Sequence, residues 1–324
     1  SHENITVDIS ANAVIKGNLA GDYADYNVTG GTFYNEVEEG YLAWGYQLVG
    51  DAAPYTVAYT GKVSELTLVD GEFTEFVNEQ ELTVGTLTYE RTLPAAGNWY
   101  PLYVPFEVPL EELTALGYEA AFFYDVHFEV LAGGEIDPTS APDVHLIKIK
   151  EGTLKANFPY VIRANASADL NLSLVLENTT LFTTAASAMN SVESGSTINR
   201  FIFAGTYKKA KPEELTGDAN VPCYVISSRG TFGKLNANTS LSPFRVYMSI
   251  IAKDGSPIIL NDVAAESISM RVIGEENEDG TTFIYDVEMD GEHTSDYIYD
   301  LQGRRVLEPQ KGGLYIVNGK KVVF

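Results

Sequence analysis

The sequence predicts a mostly β protein, built of two antiparallel β-sandwich-like domains with one or two short helices and a C-terminal β-hairpin tail. Three observations support this fold class. Apolar and polar residues alternate along many short runs, as they do in strands with one buried face. The runs end at Gly, Asn or Asp, which favour turns. The aromatic residues are 20 Tyr and 15 Phe against two Trp, a composition typical of strands.

The chain divides by texture into four regions. Residues 1–63 carry a Gly or Asn every few positions and predict a small N-terminal β domain. Residues 64–272 contain the longer alternating runs and predict a β-sandwich module. Residues 273–296 begin with the charged stretch GEENEDG and predict a linker followed by a strand. Residues 297–324 form the C-terminal hairpin segment.

Two short stretches have the pattern of a helix. In PLEELTALGYEAA, residues 109–121, Pro109 suits a first helical turn, and two Glu residues follow near the positive end of the helix dipole. Leucines then recur at threefold spacing, so we predict a helix over this range. AKPEELTG, residues 210–217, predicts one or two turns of helix that end at Gly217.

The tail differs in charge from the rest of the chain. From residue 297 onward it holds five Lys and Arg against two Asp and Glu, on a chain whose net charge is −24. Asn318-Gly319 stands between two β runs, and both residues tolerate the positive φ angles of a type I′ turn. The tail is therefore expected to contain a two-residue β-hairpin.

Composition also excludes several classes of partner and site. A net charge of −24 repels nucleic acid and anionic membranes, so neither is expected as a partner. There is no apolar stretch of 18 residues, so we expect no membrane-spanning segment. Cys223 is the single cysteine, which rules out a disulfide within the chain. Its apolar surroundings predict a buried small hydrophobic residue and not a nucleophile.

The candidate binding residues lie in the N-terminal part. Residues 36–40, EVEEG, place carboxylates beside Tyr34, Tyr41 and Trp44. Aromatic rings stack on the apolar faces of sugars, and carboxylates accept hydrogen bonds from sugar hydroxyls. These three aromatic residues are therefore our candidates for ligand binding. The alternative is that they form the core of the small domain.

Metal and catalytic signals are weaker. Asp286, Glu288 and Asp290 match the first half of a calcium-binding loop, but its twelfth position is Tyr297, where a bidentate Glu is needed. An exposed strand is the preferred interpretation of these three acidic residues, which remain weak metal candidates. No G-x-S-x-G, H-E-x-x-H, P-loop or dinucleotide-binding pattern occurs. We therefore expect no cofactor and no catalytic residues.

The ending of the chain resembles a known family. YDLQGRRV, residues 299–306, followed by GLYIVNGKK, residues 313–321, resembles the C-terminal segment of many exported Bacteroidetes proteins. LTYERTLPAAGNWYPLYVPF and FAGTY resemble strands of the β module that often precedes that segment. The resemblance implies a location at the cell surface or in the extracellular space. It also implies that the tail is a sorting signal, a hairpin that closes the fold, or both.

These observations lead to one main functional hypothesis and two alternatives. We expect a non-catalytic, adhesion-like scaffold of the cell surface or the secreted fraction, whose partner is a glycan or a surface protein. Glycan contact is expected in the N-terminal part, because the remainder resembles a shared scaffold. The first alternative is an enzyme of the glycoside hydrolase type whose catalytic residues form no local motif. The second is a structural subunit of a surface assembly, in which an acidic body accepts the basic tail of the next subunit.

Overall fold

The structure confirms a mostly β fold, in which strands account for 50% and helices for 6% of the residues that it describes. It is a computed structural model that describes residues 5–19, 24–127, 131, 142–184, 199–252, 257–258 and 268–273, together with the tail strands at 298–299, 305–306, 314–317 and 320–323.

The elements follow one another along the chain as mostly short strands. The first part contains β1 (Ile5–Ile9), β2 (Val14–Ile15), β3 (Ala24–Val28), β4 (Thr32–Phe33), a 3-10 helix (Glu39–Tyr41), β5 (Tyr46–Val49), β6 (Tyr55–Tyr59), β7 (Lys62–Val69) and β8 (Leu82–Thr92). The middle contains β9 (Tyr100–Leu102), β10 (Val108–Pro109), α1 (Leu110–Ala115), β11 (Tyr118–His127), β12 (Asp143–Lys148), β13 (Thr153–Leu154), β14 (Tyr160–Ala164) and β15 (Asn171–Leu181). The last part contains β16 (Asn199–Thr206), α2 (Pro212–Thr216), β17 (Cys223–Ile226), β18 (Phe232–Lys234), β19 (Arg245–Ala252), β20 (Ser269–Ile273), β21 (Ile298–Tyr299), β22 (Arg305–Val306), β23 (Leu314–Val317) and β24 (Lys320–Val323).

The chain forms two compact units. The first unit comprises Ser1–Leu68, Asn78–Thr88 and Val175–Thr183, and the second comprises Val69–Val77, Tyr89–Leu174 and Thr184–Phe324. The chain therefore enters the first unit three times. The division at residues 63 and 64 that the sequence suggests remains a prediction.

The first unit is built on parallel pairs as well as antiparallel ones. Strand β1 pairs in parallel with β3, and β2 pairs in parallel with β4, which continues through β6 to β5 in antiparallel order. At the corner after β3, a Cβ on Gly30 would lie 2.7 Å from the backbone nitrogen of Ala11, so glycine lets the two corners approach. Alternation in the sequence predicts a strand but not its direction, so the parallel pairs were not foreseen. One core cluster of this unit consists of Ile9, Val28, Phe33 and Val57.

The second unit contains a five-stranded sheet and a four-stranded sheet. The first has the order β20-β12-β11-β14-β9, and the second has the order β16-β19-β17-β18. The ring of Phe123 on β11 stacks on that of Phe203 on β16, with centroids 4.1 Å apart and planes at 8°. Phe232 on β18 lies 6.0 Å from Phe123. Aromatic side chains therefore fill the space between these two sheets.

A tyrosine ring lies directly over a glycine in the second unit. Gly205 belongs to β16, within the FAGTY stretch, and a Cβ there would lie 1.9 Å from Cγ of Tyr103. Tyr103 is buried, and its ring centroid is 4.7 Å from that of Tyr207. The glycine of FAGTY is thus required because a ring occupies the position of its missing side chain.

A buried ionic group in the second unit joins the turn after β7 to strands β8 and β19. Oδ2 of Asp70 lies 2.6 Å from Nη1 of Arg245 and 3.2 Å from Nε of Arg91, and it accepts a hydrogen bond of 3.0 Å from the hydroxyl of Tyr89. The side chains of Asp70 and Arg91 are only 1% and 4% exposed. Burial, followed by the charge of Arg245, lowers the pKa of Arg91. The Asp70 carboxylate is therefore the counter-charge that the buried guanidinium needs.

One helix is shorter than the sequence predicts, and the other agrees with it. Helix α1 ends at Ala115, and β11 begins at Tyr118, so the predicted helix over 109–121 is wrong beyond that point. Gly117 has φ +82°, which stops the helix, and the next residues are buried at the centre of the five-stranded sheet. Burial in the sheet outweighs the helix propensity of that stretch. Helix α2 ends at Gly217 in the left-handed conformation, as predicted.

The tail contains the expected hairpin. Strands β23 and β24 pair in antiparallel order, from Leu314 opposite Val323 to Val317 opposite Lys320. This register leaves two residues, Asn318 and Gly319, between the strands. The pair belongs to a sheet with the order β22-β21-β23-β24. The predicted linker at 274–280 lies outside the described residues.

Candidate functional site: an acidic aromatic cleft in the first unit

A cleft of about 580 Å³ opens on the first unit. Its volume falls in the range of roughly 300–1,000 Å³ that is typical of small-molecule sites. The residues that line it come from the loop after β2, the segment between β4 and the 3-10 helix, that helix itself, and the start of β6. They are Asn18, Leu19, Tyr34, Asn35, Glu36, Val37, Glu38, Tyr41, Ala53 and Tyr55.

The floor of the cleft is part of the hydrophobic core. Leu19, Val37 and Tyr41 are partly buried and pack against the core of this unit. The ring centroid of Tyr41 also lies 4.9 Å from that of Tyr26, with the planes tilted at 52°. These contacts tie the apolar base of the cleft to the core of the unit.

The two carboxylates of the cleft stand on either side of a residue that packs inward. Val37 packs against the core, while Glu36 and Glu38 are exposed. Glu38, at the end of this segment, has an extended backbone with φ −60° and ψ 137°. The start of the segment is fixed because the backbone N–H of Tyr34 donates a 3.0 Å hydrogen bond to the carbonyl of Ile15. Both carboxylates are therefore available to a ligand in the cleft.

Three tyrosines give the cleft its aromatic surface. Tyr34 is 46% exposed, so a large part of its ring is available for contact. Tyr41 and Tyr55 are half-buried and contribute their accessible edges. Asn18 and Asn35 add amide groups, which can donate as well as accept hydrogen bonds. The cleft thus combines apolar ring surface with hydrogen-bonding groups around it.

Two of the three candidate residues from the sequence line the cleft, and the third does not. Tyr34 and Tyr41 both line the cleft. Trp44 is 42% exposed, but it is not among the lining residues. Tyr55 was not predicted, because it is separated from the EVEEG stretch in sequence and reaches the cleft only through the pairing of β4 with β6. No local pattern in the sequence marks it as a neighbour of Tyr34.

The charge of the cleft has one sign. Glu36 and Glu38 are its carboxylates, and the described residues that line it include no Lys, Arg or His. Within the described residues, neither glutamate takes part in an ion pair. The first unit as a whole holds twelve Asp and Glu against two Lys. A ligand in this cleft therefore meets a negative potential.

The other candidates do not add a site. Asp286, Glu288 and Asp290, the weak metal candidates, lie outside the described residues. Among the residues that the structure describes, no group of three or more His, Cys, Asp or Glu could hold a metal ion. Cys223 is buried as predicted, and burial raises the pKa of its thiol to about 12, which keeps it protonated near neutral pH.

No described helix combines the length and the apolar composition needed to cross a membrane. Comparison with known proteins gives no match to a protein-family model, a curated protein or a solved structure.

Proposed function

We propose that this protein is a non-catalytic scaffold of the cell surface or the extracellular space that contacts glycans through the cleft of its first unit. One observation carries the proposal: Tyr34, Tyr41 and Tyr55 stand beside two carboxylates, over an apolar floor. Aromatic rings stack on the apolar faces of sugar rings, while carboxylate and amide oxygens accept hydrogen bonds from sugar hydroxyls. A flat ring with polar edges is the ligand shape that fits this combination.

The location at the cell surface or outside the cell rests on the sequence. The tail from residue 299 resembles the C-terminal segment of exported Bacteroidetes proteins, as described above. A net charge of −24 is consistent with a surface that stays soluble without a partner. The alternative of a surface protein as partner remains an outcome of the binding experiment.

Binding is favoured over hydrolysis by the position of the two carboxylates. A glycoside hydrolase places its carboxyl groups on either side of the scissile bond, about 5–10 Å apart. Glu36 and Glu38 are separated by one residue, so a single short stretch of chain carries both carboxylates of the cleft. This arrangement suits two acceptors along one edge of a sugar better than an acid and a nucleophile across it.

The test is a glycan array probed with the full chain and with two aromatic variants. Tyr34→Ala removes an exposed ring of the cleft, and Trp44→Ala removes a comparably exposed ring that does not line it. We expect saturable binding that weakens by about three- to tenfold in Tyr34→Ala, the usual size of an aromatic stacking contribution, and that is retained in Trp44→Ala.

Two results would contradict the proposal. The first is an array on which the intact chain binds nothing. The second is binding that Tyr34→Ala leaves unchanged, since a ligand in the cleft must touch that ring. Release of reducing ends from a bound glycan would point to the hydrolase alternative, so the same samples are assayed for cleavage.

A further inference from the structure

We infer that the cleft selects its glycan by charge: it prefers amino sugars that carry a free ammonium group and rejects glycans that carry carboxylate or sulfate groups. The inference rests on the proposed function, because it specifies the class of sugar that the cleft would take. It is drawn from the charges in the cleft and not from its aromatic rings alone.

The carboxylates of the cleft face solvent. Glu36 and Glu38 flank Val37, which is anchored in the core, so both carboxylates are held on the solvent side of one short segment. Neither has an ion-pair partner within the described part of the chain. Both carboxylates line the same cleft, and like charges in one site repel each other, so a bound cation is favoured there. An ammonium group on a bound sugar would supply that cation.

The surroundings of the two carboxylates are acidic as well. Among the described residues that line the cleft, no Lys, Arg or His could receive an anionic group, and the unit around it holds twelve acidic residues against two Lys. A concave site lined by one sign of charge concentrates ligands of the opposite sign and lowers the concentration of ligands of the same sign. Uronate-bearing, sialylated and sulfated glycans are therefore disfavoured before any contact forms.

The tyrosine rings of the cleft also favour a cationic ligand. An ammonium group is attracted to the face of a tyrosine ring when it lies within about 6 Å of the ring centre. Tyr34 and Tyr41 line the same cleft as the carboxylates, and Tyr34 is 46% exposed. The same rings that stack on a neutral sugar thus also favour a cationic one. The carboxylates and the rings act in the same direction.

The experiment compares three oligosaccharides of equal length by isothermal titration calorimetry at about pH 6, where an amine is protonated. The probes are a glucosamine oligomer, its fully N-acetylated counterpart and a galacturonate oligomer. Two exposed ion pairs of ordinary strength give a preference of roughly three- to tenfold for the glucosamine oligomer over the acetylated one. The galacturonate oligomer is expected to bind more weakly than either. The preference should shrink when the salt concentration is raised.

Variants connect the preference to the cleft. The double change Glu36→Gln and Glu38→Gln should reduce the ratio of the two dissociation constants to about one, because it removes the charges that attract the ammonium group. Glu65→Gln is the matched control, because Glu65 is an exposed carboxylate of the same unit that does not line the cleft, and it should leave the ratio unchanged. Spermine tests whether charge alone suffices, and it should bind more weakly than the glucosamine oligomer.

The outcomes separate this inference from the proposed function. Equal affinity for the amino and acetylated oligomers, or tighter binding of galacturonate, overturns the charge selection and leaves glycan binding intact. Spermine that binds as tightly as the glucosamine oligomer overturns the inference too, since the site would then recognise charge without sugar. Failure of all three oligomers to bind, together with a blank glycan array, overturns the proposed function itself.

Discussion

Replacing Gly205 with alanine should destabilise the second unit strongly, because a ring already occupies the space. The added Cβ would lie 1.9, 2.1 and 2.2 Å from three carbons of the Tyr103 ring, whereas ordinary contact begins at 3.4 Å. The ring would have to retreat by about 1.5 Å to restore ordinary contact. Tyr103 is 3% exposed and is backed by Tyr207, so it has little room to move. Overpacking typically costs about 1–3 kcal/mol, and we expect Gly205→Ala to lie at the upper end.

The assay uses a tryptophan of the second unit as the probe. The chain has two Trp, and Trp44→Phe leaves Trp99, which is 6% exposed in the native unit, as the remaining fluorophore. Urea unfolding followed by Trp99 emission then reports the free energy of unfolding of that unit. Probing one unit by itself is necessary because a protein with two units need not unfold in a single step.

Two further variants identify the cause. Gly233→Ala is the control, since a Cβ at Gly233 on β18 meets nothing within 4 Å, and its effect should stay within about 0.5 kcal/mol. In a Tyr103→Leu background the ring is gone, so Gly205→Ala should cost less than it does alone, which a double-mutant cycle measures. The reasoning fails if Gly205→Ala changes the free energy of unfolding no more than Gly233→Ala does.

The remaining predictions concern two charged groups. Asp70→Ala should lower the free energy of unfolding of the second unit by about 3–5 kcal/mol in urea titration, because it leaves the Arg91 guanidinium buried without its counter-charge. Although burial alone would raise the pKa of Glu119, hydrogen bonds from Lys148 and Arg163 lower it below its ordinary value of 4.5. A carboxylate with a lowered pKa adds stability above the unfolded value and loses it as the pH falls through the folded value. The destabilisation by Glu119→Gln should therefore be larger at neutral pH than at about pH 3.

Each of these two predictions is compared with a variant of a more exposed ion pair. Glu107→Gln removes a carboxylate from the more exposed pair with Lys155, whose atoms lie 3.2 Å apart, and should cost about 0–1 kcal/mol. A loss in Glu119→Gln that is the same at every pH would contradict the pKa argument. If the Asp70→Ala variant were as stable as the Glu107→Gln variant, the argument that Asp70 is the counter-charge of Arg91 would be wrong.

Local sequence patterns predict the strands of this protein well, and the limits of the prediction have physical causes. The two residues between β23 and β24 are the Asn-Gly pair, whose turn preference is a property of the residues themselves. The stop of α2 at Gly217 is local in the same way. Helix α1 ends early because the residues after Gly117 gain more from burial in a central strand than from continuing a helix. That gain depends on strands distant in sequence, so no local pattern contains it.

In the candidate site, too, local sequence predicts some features, while others depend on residues distant in sequence. Tyr34, Tyr41 and the glutamates between them are close in sequence, so their residue types suffice to suggest a binding surface. Asn18 and Tyr55 join that surface only because β2 and β6 both pair with β4. Trp44 is near in sequence and exposed, yet the structure places it outside the cleft lining. Proximity along the chain therefore identified the chemistry of the site but not its full membership.

The threefold entry of the chain into the first unit has a consequence for how the protein is made. The side-chain amide of Asn78 donates hydrogen bonds to the carbonyls of Leu181 and Phe182, 103 and 104 residues further along. During synthesis at roughly 5–20 residues per second, a chain that has just exposed Asn78 waits several seconds before those carbonyls emerge. Until then the first unit lacks its last strand, and contacts of such long range form late and slowly. A chaperone or a translocation machinery that holds the chain extended would therefore encounter the first unit before it is complete. A chain truncated before residue 183 would leave the first unit permanently incomplete.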